Sequence, residues 1–180
     1  MRCPRAQWDR ANTSKLFPTP TYDEQESKTC LDPSRINEDL LIRKGDFLIS
    51  RANTVELVGA CVIAEQVRKQ VMLSDKTLRI QFKDSSLKPW VLHFLRSRAG
   101  RQQIEALCTG NQESMRNISQ RSLRMIELPL PPSEAREEIL RFVQQQLSRL
   151  DKVEASLNDN LSRCGQLRQA VLKRAFWGDD

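Results

Sequence analysis

The sequence predicts an α+β protein in which a mixed α/β domain, residues 1–132, is followed by one long C-terminal helix, residues 133–180. Short apolar runs and period-two alternation recur between residues 46 and 130, a pattern typical of strands separated by turns. The proline pair Pro131-Pro132 then interrupts this pattern. Beyond it, residues 133–175 contain no proline and a single glycine, which favours one continuous helix.

The first domain is predicted to open with irregular chain and to continue into a sheet. Residues 1–35 are polar, carry four prolines and show no sustained period, so we expect mostly loop. A basic turn then leads into the apolar run 46–50, a predicted buried strand. Residues 57–64 are apolar on both faces, and residues 78–82 alternate with period two. This pattern predicts three or more strands in one sheet.

A helix, a loop and a last strand are predicted to close this domain. Pro89 suits the first turn of a helix, and the apolar positions continue to Cys108 with a bend near Gly100. Residues 109–117 are polar and are predicted to form a loop. Residues 126–130 alternate again, which predicts a strand that ends at the following prolines.

The C-terminal segment is predicted to be a helix too long for its own domain to cover. Ser133 suits the N-cap, Lys173 and Arg174 suit the C-terminal turn, and Gly178 suits the stop. At about 1.5 Å per residue such a helix would be roughly 65 Å long. We therefore expect another long helix to pack against it. The alternative is a single solvated helix folded back on its own domain.

Apolar residues recur along this helix with the seven-residue spacing of a coiled coil. Leucines beside the two main rows widen the apolar stripe. Two amides, Gln146 and Asn160, fall within it and are expected to set the register, since a buried amide needs a suitable partner. The predicted dimer interface consists of Ile139, Val143, Gln146, Leu147, Leu150, Val153, Leu157, Asn160, Leu161, Cys164, Leu167 and Val171.

Several classes of protein are excluded by what the sequence lacks. No stretch approaches the roughly 18 apolar residues of a membrane span, and residues 1–20 lack the apolar core of a signal peptide. The five cysteines are far apart without a C-x-x-C pair, which argues against a disulfide framework or a zinc finger. We expect free thiols in a reducing cytoplasm, and no contact with a membrane.

The usual signs of catalysis are also missing. Phosphate-binding glycine loops, the G-x-S-x-G nucleophile motif and the H-E-x-x-H metal motif do not occur. The single histidine, His93, is expected to be a partly packed helix residue. We therefore expect a protein that is not an enzyme and that binds no metal and no cofactor of its own.

The positive charge is concentrated in the first domain. The formal charge is +6, yet residues 133–180 carry eight basic and eight acidic residues. The whole excess therefore lies within residues 1–132. Such a surface favours phosphate-bearing partners, although many cytoplasmic proteins are equally basic for solubility alone.

Several short segments follow one another in a fixed order: 43–51 (RKGDFLISR), 57–59 (LVG), 78–80 (LRI), 110–112 (GNQ) with 118–119, and 126–132 (IELPLPP). This ordered set resembles the target-recognition domain of type I restriction-modification specificity subunits. The helix ending in 167–178 (LRQAVLKRAFWG) is similar to the helical conserved region that follows each recognition domain in that family. The resemblance spans about residues 36–178, and residues 1–35 look like a shortened or divergent start.

The resemblance implies a DNA-reading subunit with no activity of its own. Family members carry two recognition domains held apart by two antiparallel helices, and each domain reads half of a split target. With one domain and one helix, this chain looks like half a specificity subunit, which would homodimerise through an antiparallel coiled coil. Its implied partners are double-stranded DNA, a methyltransferase subunit that supplies the S-adenosylmethionine chemistry, and a motor-nuclease subunit that joins the complex.

Two polar segments and an arginine-rich region are the candidates for contact with DNA. Asn and Gln can pair adenine in two places and Arg can do the same with guanine, whereas other arginines suit phosphates. The predicted DNA-binding residues are Arg51, Asn53, Thr54, Arg79, Arg98, Arg101, Asn111, Gln112, Ser114, Arg116 and Asn117. Plain surface loops and a solvated helix face are the alternatives.

The predicted function is therefore sequence-specific reading of a DNA half-site together with docking of methyltransferase subunits. The alternative is a truncated interaction or regulatory module that dimerises and binds methyltransferase without reading DNA.

Overall fold

The computed structural model describes residues 2–4, 22–24, 27–29, 36–112 and 115–178. Within them the chain divides into two compact units, Met1–Leu130 and Pro131–Asp180. Among the described residues, the first unit contains short strands, three α-helices and the two short 3-10 helices Glu38–Leu40 and Ser85–Leu87, and the second is dominated by a single long helix. The predicted class, α+β with a long C-terminal helix, is confirmed.

Eight short strands are described, and they form three antiparallel sheets. Strand order is β1-β2 in the first sheet, β5-β3-β6 in the second and β4-β8-β7 in the third. The strands are β1 Arg2–Pro4, β2 Ser27–Thr29, β3 Phe47–Ser50, β4 Ala52–Asn53, β5 Cys61–Ile63, β6 Thr77–Ile80, β7 Thr109–Gln112 and β8 Met115–Asn117.

The central strand β3 buries both of its faces. Leu48 packs into a cluster that contains Ile42, Val62 and Val71. Phe47 and Ile49 point the other way, into a second cluster. The other buried members of this second cluster are Val58, Cys61, Leu95, Ile104 and Ile118. Because successive side chains of a strand alternate between faces, an unbroken apolar run is what a strand covered on both sides requires.

The predicted helix over residues 89–108 is two helices, α1 Lys88–Arg96 and α2 Arg98–Leu107. The break lies at Ser97, whose side chain accepts a hydrogen bond from the backbone N–H of Gly100 and so caps α2. Gly100 itself packs against the end of α1, where an added Cβ would lie 2.2 Å from the carbonyl oxygen of Phe94. The glycine therefore permits the close approach, and the serine makes the break.

The prediction of a last strand over residues 126–130 is wrong. The segment forms no ladder, and its backbone is held by side chains of α1 and α2 instead. Gln103 both donates to the Glu127 carbonyl at 3.0 Å and accepts from the Glu127 N–H at 2.8 Å. The indole N–H of Trp90 donates to the Pro129 carbonyl at 2.8 Å. Proline at 129 cannot donate to a strand ladder, whereas its carbonyl serves this bond equally well.

The predicted strand over residues 57–64 is shorter than expected, since only Cys61–Ile63 pairs with β3. Residues 55–59 form a turn in which the N–H groups of Leu57 and Val58 both donate to the carbonyl of Thr54. The turn ends at Gly59, which has a φ of 73° and therefore lies in the left-handed region that favours glycine.

The second unit contains one helix, α4 Ser133–Trp177, followed by Gly178 with a φ of 76°. The N-cap position is Pro132, one residue earlier than predicted, and it provides no side-chain cap. Large apolar side chains stay exposed along its length, from Ile139 at 44% and Leu157 at 49% to Phe176 at 75%. These apolar side chains are exposed, and coiled-coil pairing stays a prediction. None of the described helices is long and apolar enough to cross a membrane.

Candidate nucleic-acid interface

The two polar segments predicted to face DNA are strands of one sheet rather than separate loops. β4 pairs with β8 in antiparallel register, so that Ala52 lies opposite Asn117 and Asn53 lies opposite Arg116. β8 in turn pairs with β7 as a hairpin. We call β4, β8 and β7 the polar sheet. Its formation brings residues from two distant stretches of the chain side by side.

The hairpin of the polar sheet is irregular, and Gly110 makes the irregularity possible. The register shifts between Thr109 and Gln112. Gly110 has a φ of 119°, and a Cβ there would lie 2.6 Å from the carbonyl oxygen of Met115. Arg116 donates from Nη1 to the Gly110 carbonyl at 2.6 Å, so its guanidinium also stabilises this distortion. A bulge of this kind twists a strand locally and redirects its side chains.

Several predicted residues of the polar sheet are only partly described. Asn111 and Gln112 belong to β7 by their backbone. Ser114 lies outside the described residues. Asn117 is half-buried and its carbonyl accepts from the Thr109 hydroxyl at 3.4 Å, a contact across the hairpin. The two strands of the hairpin thus contain four of the predicted DNA-binding residues, Asn111, Gln112, Arg116 and Asn117.

Hydrogen bonds hold the chain at both ends of β4, at Arg51 before the strand and at Thr54 after it. Ile118, after β8, donates its N–H to the Arg51 carbonyl at 2.8 Å. The Asn53 side-chain oxygen accepts from the Thr54 N–H at 2.8 Å. The N–H of Glu56 and the hydroxyl of Thr54 hydrogen-bond the Glu56 carboxylate and hold its pKa below the ordinary value. Thr54 therefore caps the following turn, while Arg51 is exposed.

The predicted arginines fall into two groups that the sequence does not distinguish. Arg79, Arg101 and Arg116 donate to backbone carbonyls within the unit. Arg79 also lies 2.9 Å from the Asp46 carboxylate through Nε and bonds the Leu41 carbonyl. Arg51 and Arg98 are exposed, and no hydrogen bond from either guanidinium to the described residues is recorded. The two exposed arginines suit phosphate contacts better than the three that donate to carbonyls.

Two further exposed arginines lie directly after β8 and were missing from the predicted set. Arg121 belongs to the short helix α3 Gln120–Leu123, and Arg124 follows it. Both are exposed and three residues apart. The local surplus of arginine between residues 96 and 124 was the signal that could have found them.

Burial shifts the pKa of two titratable side chains near these elements. Burial raises the pKa of the Cys61 thiol to about 11, despite the neighbouring Arg96 guanidinium. Burial, and to a lesser extent the neighbouring Arg96 guanidinium, also lowers the pKa of His93. Cys61 is buried, and His93 is a partly buried helix residue, as the sequence predicted for the histidine. Among the described residues, no group of three or more His, Cys, Asp or Glu side chains could hold a metal ion.

Sequence comparison confirms the resemblance to type I specificity subunits. The EcoKI specificity subunit of Escherichia coli K12 is 29% identical over 140 residues, 77% of this chain and 30% of the relative. The EcoEI specificity subunit of E. coli is 28% identical over 137 residues, 76% of this chain and 23% of the relative. The putative MjaX specificity subunit of Methanocaldococcus jannaschii is 22% identical over 132 residues, 73% of this chain and 30% of the relative. The chain thus spans less than a third of the length of each of these relatives. No family model matches the chain.

Proposed function

We propose, starting from this similarity to type I restriction-enzyme specificity subunits, that the chain recognises a DNA sequence for a restriction-modification system. The observation that carries the proposal is the pairing of Asn53 with Arg116. This pairing joins into one sheet the two polar segments that were predicted to contact DNA from their residue types alone. A surface of amide and guanidinium groups is what direct reading of base edges requires.

The β7–β8 hairpin of the polar sheet has the architecture that suits this role. A two-stranded β-ribbon fits the major groove, where each base pair presents its own pattern of donors and acceptors. The β7–β8 hairpin is such a ribbon, and its bulge at Gly110 bends the strand that carries Asn111 and Gln112. We infer that this hairpin reads bases, with β4 as the neighbouring strand.

The exposed arginines would supply affinity that does not depend on sequence. Arg51, Arg98, Arg121 and Arg124 are exposed and belong to the same compact unit. Guanidinium groups release counterions when they neutralise DNA phosphates, which makes the binding salt-dependent. The excess of basic residues within residues 1–132 supports this assignment.

The long helix α4 is assigned to assembly. Its apolar stripe is exposed along the unit, and burying it against a second copy would place two recognition domains on one dimer. An isologous two-fold dimer matches a target made of two inverted half-sites. We propose that the same helices dock the methyltransferase subunits, which bind S-adenosylmethionine and perform the chemistry, and that the motor-nuclease subunit joins through that complex.

Duplex binding separates this function from its alternative. The purified chain is incubated with a pool of random duplexes, and bound molecules are sequenced at several salt concentrations. Recognition predicts an enriched consensus whose binding weakens as salt rises. A chain that dimerises but enriches no sequence at any salt concentration would instead be an interaction or regulatory module.

A further inference from the structure

Arg101 joins α2 to the turn that follows β4. Its guanidinium donates from Nη1 to the Val58 carbonyl at 2.6 Å and from Nη2 to the Val55 carbonyl at 3.0 Å. The turn formed by residues 54–59 begins directly after Asn53, the β4 residue that lies opposite Arg116. One side chain of a helix therefore holds both ends of the loop that leaves the polar sheet.

The surroundings of this contact show that it is built into the fold. The Arg101 side chain is only 22% exposed, and its Nη2 also lies 3.5 Å from the Glu105 carboxylate one helical turn later. Val58 is fully buried, and Gly59 packs directly beneath Ile104 of the same helix. The Arg101 guanidinium thus adds hydrogen bonds to an apolar contact that already packs this turn against α2.

Arg98 provides the contrast within the same helix. It lies one turn before Arg101, it is exposed, and no hydrogen bond from its side chain to the described residues is recorded. Both arginines were predicted to contact DNA because sequence spacing does not separate them. The structure distinguishes them, because the Arg101 guanidinium donates to two backbone carbonyls whereas the Arg98 side chain is exposed.

We propose that Arg101 is a positioning residue for DNA reading: it anchors the 54–59 turn to α2 and thereby fixes β4 of the polar sheet, without touching DNA. The proposal rests on the proposed function, because it assigns a role within that recognition surface. Arginine is required because its planar fork reaches two carbonyls at once, whereas the single ammonium of lysine does not reproduce that geometry. Charge alone is therefore insufficient at this position.

The test compares Arg101→Lys, Arg101→Ala and Arg98→Ala by two measurements. The first is hydrogen exchange of the amides of residues 55–60 in the free protein, which reports how firmly the turn is held. The second is the salt dependence of binding to the selected duplex. Gln102→Ala, at an exposed neighbouring position on α2, is the control and is expected to change neither measurement.

Both Arg101 variants are expected to accelerate exchange in the turn by roughly tenfold or more, because opening no longer breaks two charged hydrogen bonds. They should lose roughly tenfold in affinity for the target and keep the wild-type salt slope. Arg98→Ala should leave exchange unchanged and reduce the slope by about one phosphate contact. Arg101→Lys retains the charge, so it keeps the test decisive if Arg101→Ala fails to fold.

The opposite pattern would overturn the proposal. Unchanged exchange in Arg101→Lys would show that the turn does not depend on the two-carbonyl contact. A reduced salt slope in Arg101→Ala would show a direct phosphate contact instead. If the wild-type chain selects no sequence, the proposed function fails and the DNA-reading role fails with it, while the exchange measurement still decides whether Arg101 anchors the turn.

Discussion

Ile104 occupies the space that a side chain at position 59 would need. A Cβ added to Gly59 would lie 2.5 Å from Cγ2 and 3.0 Å from Cδ1 of Ile104, which is itself fully buried. The glycine also has a φ of 73°, which other residues rarely adopt. This contact packs the turn after β4 against α2 and therefore helps to fix the position of β4 in the polar sheet.

Gly59→Ala is expected to destabilise the first unit strongly. The left-handed backbone costs about 1–2 kcal/mol for a residue with a Cβ, and overpacking against a buried neighbour adds about 1–3 kcal/mol. Gly45→Ala is the matched control, because Gly45 has a φ of 85° and no atom within 4 Å of an added Cβ. It should lose only the backbone contribution. Denaturant unfolding of the three proteins measures the difference, and equal losses would show that the Ile104 contact is unimportant.

Leu157→Asp is expected to dissociate the dimer that we propose forms through α4. The substitution would bury a carboxylate among the apolar residues of the predicted dimer interface. An unpaired buried charge costs roughly 3–5 kcal/mol. Leu150→Asp should behave in the same way. Ser148→Asp adds the same charge on the opposite, exposed side of the helix and should leave the dimer intact. Sedimentation equilibrium gives the mass, and a dimeric Leu157→Asp protein would contradict the coiled-coil assignment.

Gln112→Ala is expected to reduce sequence preference rather than general affinity. Loss of a base contact costs about 1–3 kcal/mol on the preferred site and less on random DNA. Arg98→Ala should weaken both kinds of binding to a similar extent, since a phosphate contact carries no sequence information. Titrations of each variant with target and random duplexes provide the comparison. Equal losses for Gln112→Ala on both duplexes would remove the hairpin from the reading surface.

The chain alone is expected neither to cut nor to methylate DNA. Methyl transfer to a base needs a cofactor pocket and a cavity for a flipped nucleotide, and the sequence shows no motif for the first. Incorporation of labelled methyl groups from S-adenosylmethionine measures this, with and without a methyltransferase subunit. A catalytically dead methyltransferase serves as control. Incorporation by the chain alone, or with the dead partner, would identify this protein as an enzyme.

The parts of the fold that follow from local pattern were predictable. The apolar run around Phe47 is short and follows a turn, which suits a buried strand, and the apolar residues after Pro132 recur with a helical period over a long segment without proline. The alternation at residues 126–130 has the same period as a strand, yet side chains of Gln103 and Trp90 satisfy that backbone instead. Such partners lie far away in the sequence, so the local pattern does not reveal them.

The candidate site shows the same limit. Its residue types were visible in the sequence, but the pairing of Asn53 with Arg116 joins two segments that no local pattern connects. The role of an arginine depends on its surroundings in a similar way. Arg79 donates to the Asp39 and Leu41 carbonyls, whereas Arg98 is exposed, and both are simply basic residues in the sequence.

The most direct test of the whole account is to map methylation by the assembled complex. The chain is combined with its cognate methyltransferase subunit and S-adenosylmethionine, and the methylated adenines are located across a long random DNA. A dimer that reads one half-site per copy predicts methylation at two inverted half-sites of the same sequence, separated by a fixed spacing. Methylation without a consensus, or at single sites without a fixed partner, would contradict the account.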